Sequence, residues 1–216
     1  LDKMPHALLF YRQQLQFLGG MGIVVLAVAI LPMLGVGGMQ LYRAETPGPM
    51  KESKLTPRIT QTAKALWSIY FLLTLLCMLS YWAAGMNWFD ALGESFATVS
   101  TGGFSMHTAS FAHYQSDLIE CVACFFMLLG GTNFALHFLA FKNRSLKHYW
   151  QDDEFRYYVG FLLIMSLVVS ISLVTYGFFT ANPHAFIKSL FNIVSLATTT
   201  GFISAPFSTW PTYVPI

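Results

Sequence analysis

Two strings decide how this chain is read: Ala97-Thr98-Val99-Ser100-Thr101-Gly102-Gly103-Phe104-Ser105 and Ser195-Leu196-Ala197-Thr198-Thr199-Thr200-Gly201-Phe202-Ile203. At a constant offset of 98 residues Trp88 falls on Phe186, Leu92 on Leu190, Thr101 on Thr199, Gly103 on Gly201 and Phe104 on Phe202. The stretch before each string is apolar with helical spacing, Trp88, Leu92, Phe96 and Val99 in the first, Phe186, Leu190, Val194 and Ala197 in the second. Asn87 is placed to cap the first helix; Asn182 and Pro183 supply a cap and a first helical residue for the second. Each helix runs only about 10 to 14 residues, the length of a re-entrant segment and too short to span a bilayer.

Composition agrees with a membrane setting. The 216 residues are 55% apolar and 10% charged with a net charge of +2, where a water-soluble domain carries about 25% charged residues. The small net charge excludes a nucleic-acid binder working by phosphate neutralisation. Four stretches have the ~20 residues a crossing needs, at 15–41, 63–84, 118–141 and 157–179. The first is rich in glycine and holds Pro32, where a bend is expected.

Orientation follows from Lys and Arg, which collect on the cytoplasmic side. Nine of the twelve lie in two linkers, Arg43, Lys51, Lys54, Arg58 and Lys64 in one, Lys142, Arg144, Lys147 and Arg156 in the other. The Thr/Gly strings and the N-terminus are therefore expected outside. Leu18-Gly19-Gly20 repeats as Leu129-Gly130-Gly131, so the unit is span, re-entrant helix, Gly-ended turn, span. An all-α membrane fold follows, with 1–41 the second span of one unit, 42–62 a cytoplasmic linker, 63–141 a complete unit, 142–155 a second linker, and 156–216 the opening of a third unit. The initial Leu1 suggests a piece of a longer chain.

Backbone that leaves helical structure at membrane depth is tolerated where it is buried or lines a water-filled path. A Thr/Ser/Gly string after a half-helix suits the latter, since carbonyl and hydroxyl oxygens can replace the hydration shell of a cation. The negative C-terminal end of the half-helix favours the same sign. With no ring of carboxylates, a monovalent ion is the better match. Asp90 and Glu94 either concentrate cations near the mouth or stand exposed at the helix start. Asp117, Glu120 and His137 sit near span ends, where charges reach water or hydrogen-bonding partners. Close helix packing is the expected role of Gly130, Gly131, Thr132 and Asn133. Cys77, Cys121 and Cys124 read as small apolar side chains. No nucleophile and base, phosphate loop or metal cluster suggests an enzyme.

These residues carry a resemblance. Arg12-Gln13-Gln14-Leu15-Gln16-Phe17-Leu18-Gly19-Gly20-Met21-Gly22, Ser100-Thr101-Gly102-Gly103-Phe104-Ser105, Leu129-Gly130-Gly131-Thr132-Asn133 and Ala197-Thr198-Thr199-Thr200-Gly201-Phe202 resemble the Trk/Ktr/HKT superfamily of potassium transporters, and within it the TrkH/TrkG subunits of bacterial Trk uptake systems. The resemblance implies a four-unit pore in one polypeptide of the bacterial inner membrane, to which this chain would give two central turns. It implies a K+ filter at Gly103 and Gly201, lined beside them by Ser100, Thr101, Gly102, Thr198, Thr199 and Thr200. It further implies a homodimer, a cytosolic nucleotide-binding regulatory subunit like TrkA, K+ as transported ion and no other cofactor. Half of such a ring would not conduct alone. A sodium-permeating relative and a membrane scaffold with purely structural hairpins remain open on the sequence.

Overall fold

The structure is a computed structural model that describes residues 1–25, 59–177, 183–205 and 210. The Pro32 bend, the first linker up to residue 58, Asn182 and the far end of the first expected span lie outside the described residues, while residues 59–62 of that linker already belong to a helix. The helices are α1 (His6–Val25), α2 (Ile59–Ala83), α3 (Trp88–Val99), α4 (Asp117–Gly130), α5 (Phe134–Asn143), α6 (Lys147–Gln151), α7 (Asp153–Thr175) and α8 (Pro183–Ala197), with a 3-10 turn at Ser110–His113. No strand occurs among the described residues.

Among the described residues two helices meet the length and apolarity of a crossing, Ala63–Ala83 within α2 and Asp153–Thr175. At 1.5 Å per residue, each reaches about 30 Å, the thickness of a hydrocarbon core. Their outer faces stay apolar and uncovered: Phe71, Leu72, Leu75, Leu76 and Leu79 on α2, Phe161, Ile164, Leu167, Val168 and Ile171 on α7. An exposed apolar face of this kind on a helix of crossing length suits lipid contact.

The third expected crossing, 118–141, is not one straight helix: α4 and α5 meet at 93° across residues 131–133. The cause is local. Gly131 closes α4, and the Asn133 side chain accepts the Ala135 amide at 2.9 Å to start a new helix. Apolarity continues through the corner while the backbone changes direction, so hydropathy alone reads one span. The expected close packing at the glycines is present, since a Cβ on Gly130 would lie 2.9 Å from the Val99 carbonyl oxygen and one on Gly131 2.9 Å from Tyr158 Oη.

The short helices α3 and α8 are held inside this frame, α3 against α1, α2 and α4, and α8 against α4 and α7. The buried face of α3 is Ala91, Glu94, Ser95, Thr98 and Val99, whereas Trp88, from the face expected to be apolar and buried, is 61% exposed. Between the helices sits Phe111 of the 3-10 turn, fully buried, its ring 4.5 Å from Phe202 and 5.1 Å from Phe191. Burying one such ring contributes about 1.5–3 kcal/mol, and here it ties the second string to the first unit.

Candidate functional site

Both Thr/Gly strings fold as the same turn. Helix α3 ends at Val99 and α8 at Ala197. After them Thr101 and Thr199 adopt left-handed backbone at φ 50° and 57°, and Gly103 and Gly201 at 72° and 85°. A β-branched residue with positive φ is strained, so its recurrence at the same offset marks a backbone that two separate sequences are made to adopt. The hydrogen bonds repeat too. Thr101 N–H donates to Thr98 O and Gly102 N–H to Ala97 O, while Thr199 N–H donates to Leu196 O and Thr200 N–H to Ser195 O.

This pattern decides which polar groups the turns leave available. The amides of Ser100, Thr101 and Gly102, and those of Thr198 through Gly201, all donate back into the preceding helix. Donors are thereby consumed, and the chemistry left in excess is that of oxygen acceptors, which suits a cation. Hydroxyl protons are also engaged: Thr101 Oγ1 donates to Ser100 O at 2.8 Å, and Thr198 and Thr200 share a hydrogen bond of 2.7 Å between their Oγ1 atoms.

The turns meet. A Cβ on Gly103 would overlap the Thr200 carbonyl oxygen outright, so only glycine lets the first turn lie against the second. Gly201 has open space on the equivalent side. Ser100, Thr101, Gly102 and Gly103 are half-buried, Thr198 and Thr200 are buried, and Thr199 and Gly201 are exposed. All eight residues singled out in the sequence thus lie in two adjoining turns.

The paired glycines of the spans reach the same place. A Cβ on Gly20 would come 2.8 Å from Ser100 Cβ, and one on Gly131 3.0 Å from Thr198 Cγ2. Ser100 and Thr198 are equivalent at the 98-residue offset, so each Gly-Gly motif supports the same position of the turn that follows it.

The residues that brace the turns were mostly not identified from sequence. Helix α1 presents Gln13 and Gln16, whose Nε2 atoms donate to Phe104 O at 2.7 and 3.1 Å. The Gln16 Oε1 accepts the Phe104 amide at 3.1 Å, and Arg12 donates to Ser105 O at 2.9 Å while lying 5.0 Å over the Phe104 ring. The available signal was a polar cluster, Arg12, Gln13, Gln14 and Gln16, in a largely apolar helix. Glu94 is neither at a mouth nor exposed. It is fully buried, and its Oε1 accepts from Ser105 Oγ, from the Met106 amide at 2.8 Å and from Tyr114 Oη at 3.2 Å. The second turn is held by Ser195 Oγ donating to Phe202 O at 2.8 Å, and by the 3-10 turn, where Ala112 N–H donates to Ile203 O and Ser110 Oγ accepts from Ile203 N–H, each at 3.2 Å.

Polar groups at the span ends are partnered. Glu120 is buried and pairs with Lys188, and Asp117 pairs with His184, joining α4 to α8. His137 bonds through both ring nitrogens, to Tyr149 Oη at 2.6 Å and Leu129 O at 2.8 Å. The three cysteines are free.

Helices of crossing length around two turns rich in oxygen acceptors are features that suit a cation-transport protein, and sequence comparison gives the family. Residues 1–216 match the family model described as TrkH, cation transport protein, and the chain belongs to that family. It is 57% identical over 218 residues to the Trk system potassium uptake protein TrkH of Halomonas elongata and 50% identical over 216 residues to that of Escherichia coli K12. These matches cover 100% of this chain and 44% and 45% of the relatives. The crystal structure of the potassium transporter TrkH from Vibrio parahaemolyticus superposes with a TM-score of 0.84 at 44% identity, covering 99% of this chain and 43% of that one. The chain thus spans a little under half the length of these relatives.

Proposed function

We propose that this chain provides two of the four turns of a selectivity filter through which a Trk-type protein takes up K+ across the bacterial inner membrane. The observation that carries the reading is the pair of adjoining turns with identical left-handed positions, amides consumed internally, and glycine at the point of contact. A K+ ion needs several oxygen ligands at once, and two turns supply part of such a cage. Related proteins named as potassium uptake proteins add support. In this reading Ser100, Thr101, Gly102, Gly103, Thr198, Thr199, Thr200 and Gly201 line the ion path. Helices α3 and α8 direct the negative ends of their dipoles toward it.

The turns face the periplasm and the basic linkers the cytoplasm, by the distribution of Lys and Arg. The units run 1–41, 63–141 and 156–216, with linkers at 42–62 and 142–155. A homodimer with a cytosolic nucleotide-binding subunit is the assembly that fits the family, the basic linkers giving that subunit a charged face to dock on.

The test uses the protein in its full natural length, expressed in cells lacking other potassium uptake. Gly201→Ser and Thr101→Asp should each lower K+ uptake and the preference for K+ over Na+. Uptake and preference both unchanged would overturn the filter reading in favour of a structural role for the turns.

A further inference from the structure

Near the corner where α5 ends, and remote from the Thr/Gly turns in sequence, lies a cavity of about 640 Å³. One wall is apolar, formed by Ile69, Leu72 and Leu73 of α2 with Phe141 of α5; Lys142 and Arg144 stand on the rim. His137 and Tyr149 line it as well, joined by their 2.6 Å hydrogen bond. Because the Leu129 carbonyl only accepts, His137 Nε2 carries a proton, and the Tyr149 hydroxyl satisfies Nδ1. These two groups are therefore already satisfied, and the cationic rim is the unspent polar feature.

The rim is built by a definite backbone device. Arg144 ends α5 in a left-handed conformation, φ 47° and ψ 39°, and the chain turns back through hydrogen bonds from Arg144 N–H to Phe141 O and Ser145 N–H to Ala140 O. The turn sets Arg144 beside Lys142. Both are exposed, no Asp or Glu lines the cavity, and neither basic residue forms an ion pair among the described residues. The neighbouring acidic group Asp153 is paired with Arg156 instead.

The apolar wall does not stop at the cavity. Leu72, 41% exposed, belongs to the same stripe of α2 as Phe71, Leu75 and Leu76, so the pocket opens along an exposed apolar face of a helix long enough to cross a bilayer. A ligand that fits must be anionic at one end and hydrocarbon at the other. We infer that this cavity is a binding site for an anionic phospholipid, its headgroup phosphate between Lys142 and Arg144 and an acyl chain along Ile69, Leu72 and Leu73. Basic pockets between membrane helices bind such headgroups, and the apolar wall distinguishes a lipid from free phosphate. The inference does not depend on the filter reading, since it is measured without transport.

The full-length protein is reconstituted in phosphatidylcholine with phosphatidylglycerol, released in mild detergent and examined by native mass spectrometry. Phosphatidylglycerol should be retained over phosphatidylcholine. Lys142→Gln with Arg144→Gln should weaken retention about thirtyfold, from the loss of two charges near the surface. Leu73→Trp should lower it with the charges intact, by filling the wall. Lys147→Gln, on the same linker but outside the lining, should leave it unchanged. Equal loss from Lys147→Gln would replace the site with a diffuse basic surface, and displacement of the lipid by millimolar inorganic phosphate would replace it with a simple anion site. Retention of neither lipid by the wild type, or unchanged retention in the double variant, would overturn the proposal.

Discussion

The two turns share one backbone and are held in it by different means. Around the first, the support is polar and comes from distant chain: Gln13, Gln16 and Arg12 of α1 take the Phe104 and Ser105 backbone, and Glu94 gathers Ser105, Met106 and Tyr114. Around the second, support comes from Ser195 of its own helix and from the 3-10 turn of the first unit, through Ser110, Ala112 and the Phe111 ring. At the 98-residue offset Glu94 corresponds to Asn192, whose Nδ2 donates to Lys188 O at 2.8 Å and to Ser204 Oγ at 3.3 Å. The same station in each short helix thus reaches forward to a hydroxyl beyond the turn, by a carboxylate in one unit and an amide in the other. A repeat preserves the backbone its function needs and leaves the means of support free to diverge.

The contact point between the turns gives the sharpest contrast. Gly103→Ala places a methyl group on the Thr200 carbonyl and also forces alanine into left-handed backbone. Left-handed geometry alone costs about 1–2 kcal/mol, and overpacking adds about 1–3 kcal/mol. Gly201→Ala meets open space and should show only the first term. Thermal unfolding of the full-length protein in detergent should therefore rank Gly103→Ala well below Gly201→Ala. Equal losses would show that the turns do not touch as described.

The paired stations come next. Glu94→Ala removes the acceptor for three donors at a buried site, and each buried group left unpaired costs about 1–3 kcal/mol. With two of the three being hydroxyls able to turn toward other acceptors, a loss of about 3 kcal/mol is expected. Asn192→Ala should lose about 1–2 kcal/mol by the same reasoning. A smaller effect at Glu94 than at Asn192, by chemical denaturation, would break the asymmetry between the carboxylate and the amide at this shared station.

The sequence made part of this legible and left part hidden, for physical reasons. The 98-residue repeat could be read because positive φ restricts residue choice strongly at Gly103 and Gly201. The crossings at 63–84 and 157–179 could be read because lipid demands unbroken apolar length; they correspond to α2 and α7. The corner at residues 131–133 escaped because hydropathy reports the surroundings of a helix and not its direction, although an Asn followed by a fresh apolar run is an N-cap pattern. Glu94 was misread because helical periodicity separates faces without saying whether a polar face meets water or a buried partner. Gln13 and Gln16 stand out as polar residues of a largely apolar helix, but nothing near them in sequence says what they bind. Their role exists only once α1 lies beside residues that are 88 and 91 positions away.

Those glutamines allow a weaker test of how far support has diverged. Gln16→Ala removes both bonds to the Phe104 backbone and should cost about 1–2 kcal/mol, with faster hydrogen exchange at residues 103–105 and little change at 201–203. Ser110→Ala, which removes one acceptor for Ile203 N–H, should do the reverse at about 1 kcal/mol. Matching exchange changes in both turns after either substitution would mean that the turns open as one unit.

The smallest effect lies at the outer edge of the first turn, which has a tether the second lacks among the described residues. Asp2 accepts from the Thr108 amide at 3.4 Å and contacts His107 Nδ1 at 3.1 Å; His107 Nε2 in turn lies 3.3 Å from Asp90 of α3. Hydrogen bonds from Thr108 and His107 lower the Asp2 pKa from 3.8 to about 2. A depressed carboxylate favours the folded form above its ordinary value, and that contribution fades as pH falls from 3.8 toward 2. Asp2 is fully exposed to solvent screening, so the tether should be visible as local exchange and not as global stability. Amide protection factors, exchange corrected for the intrinsic rate at each pH, should fall at residues 1–6 and 107–109 over that pH interval in the wild type, and Asp2→Asn should already show the lowered protection at neutral pH. Protection factors that do not change with pH in the wild type would detach the N-terminal segment from the turn and leave Arg12, Gln13 and Gln16 of α1 as its long-range hydrogen-bonding support.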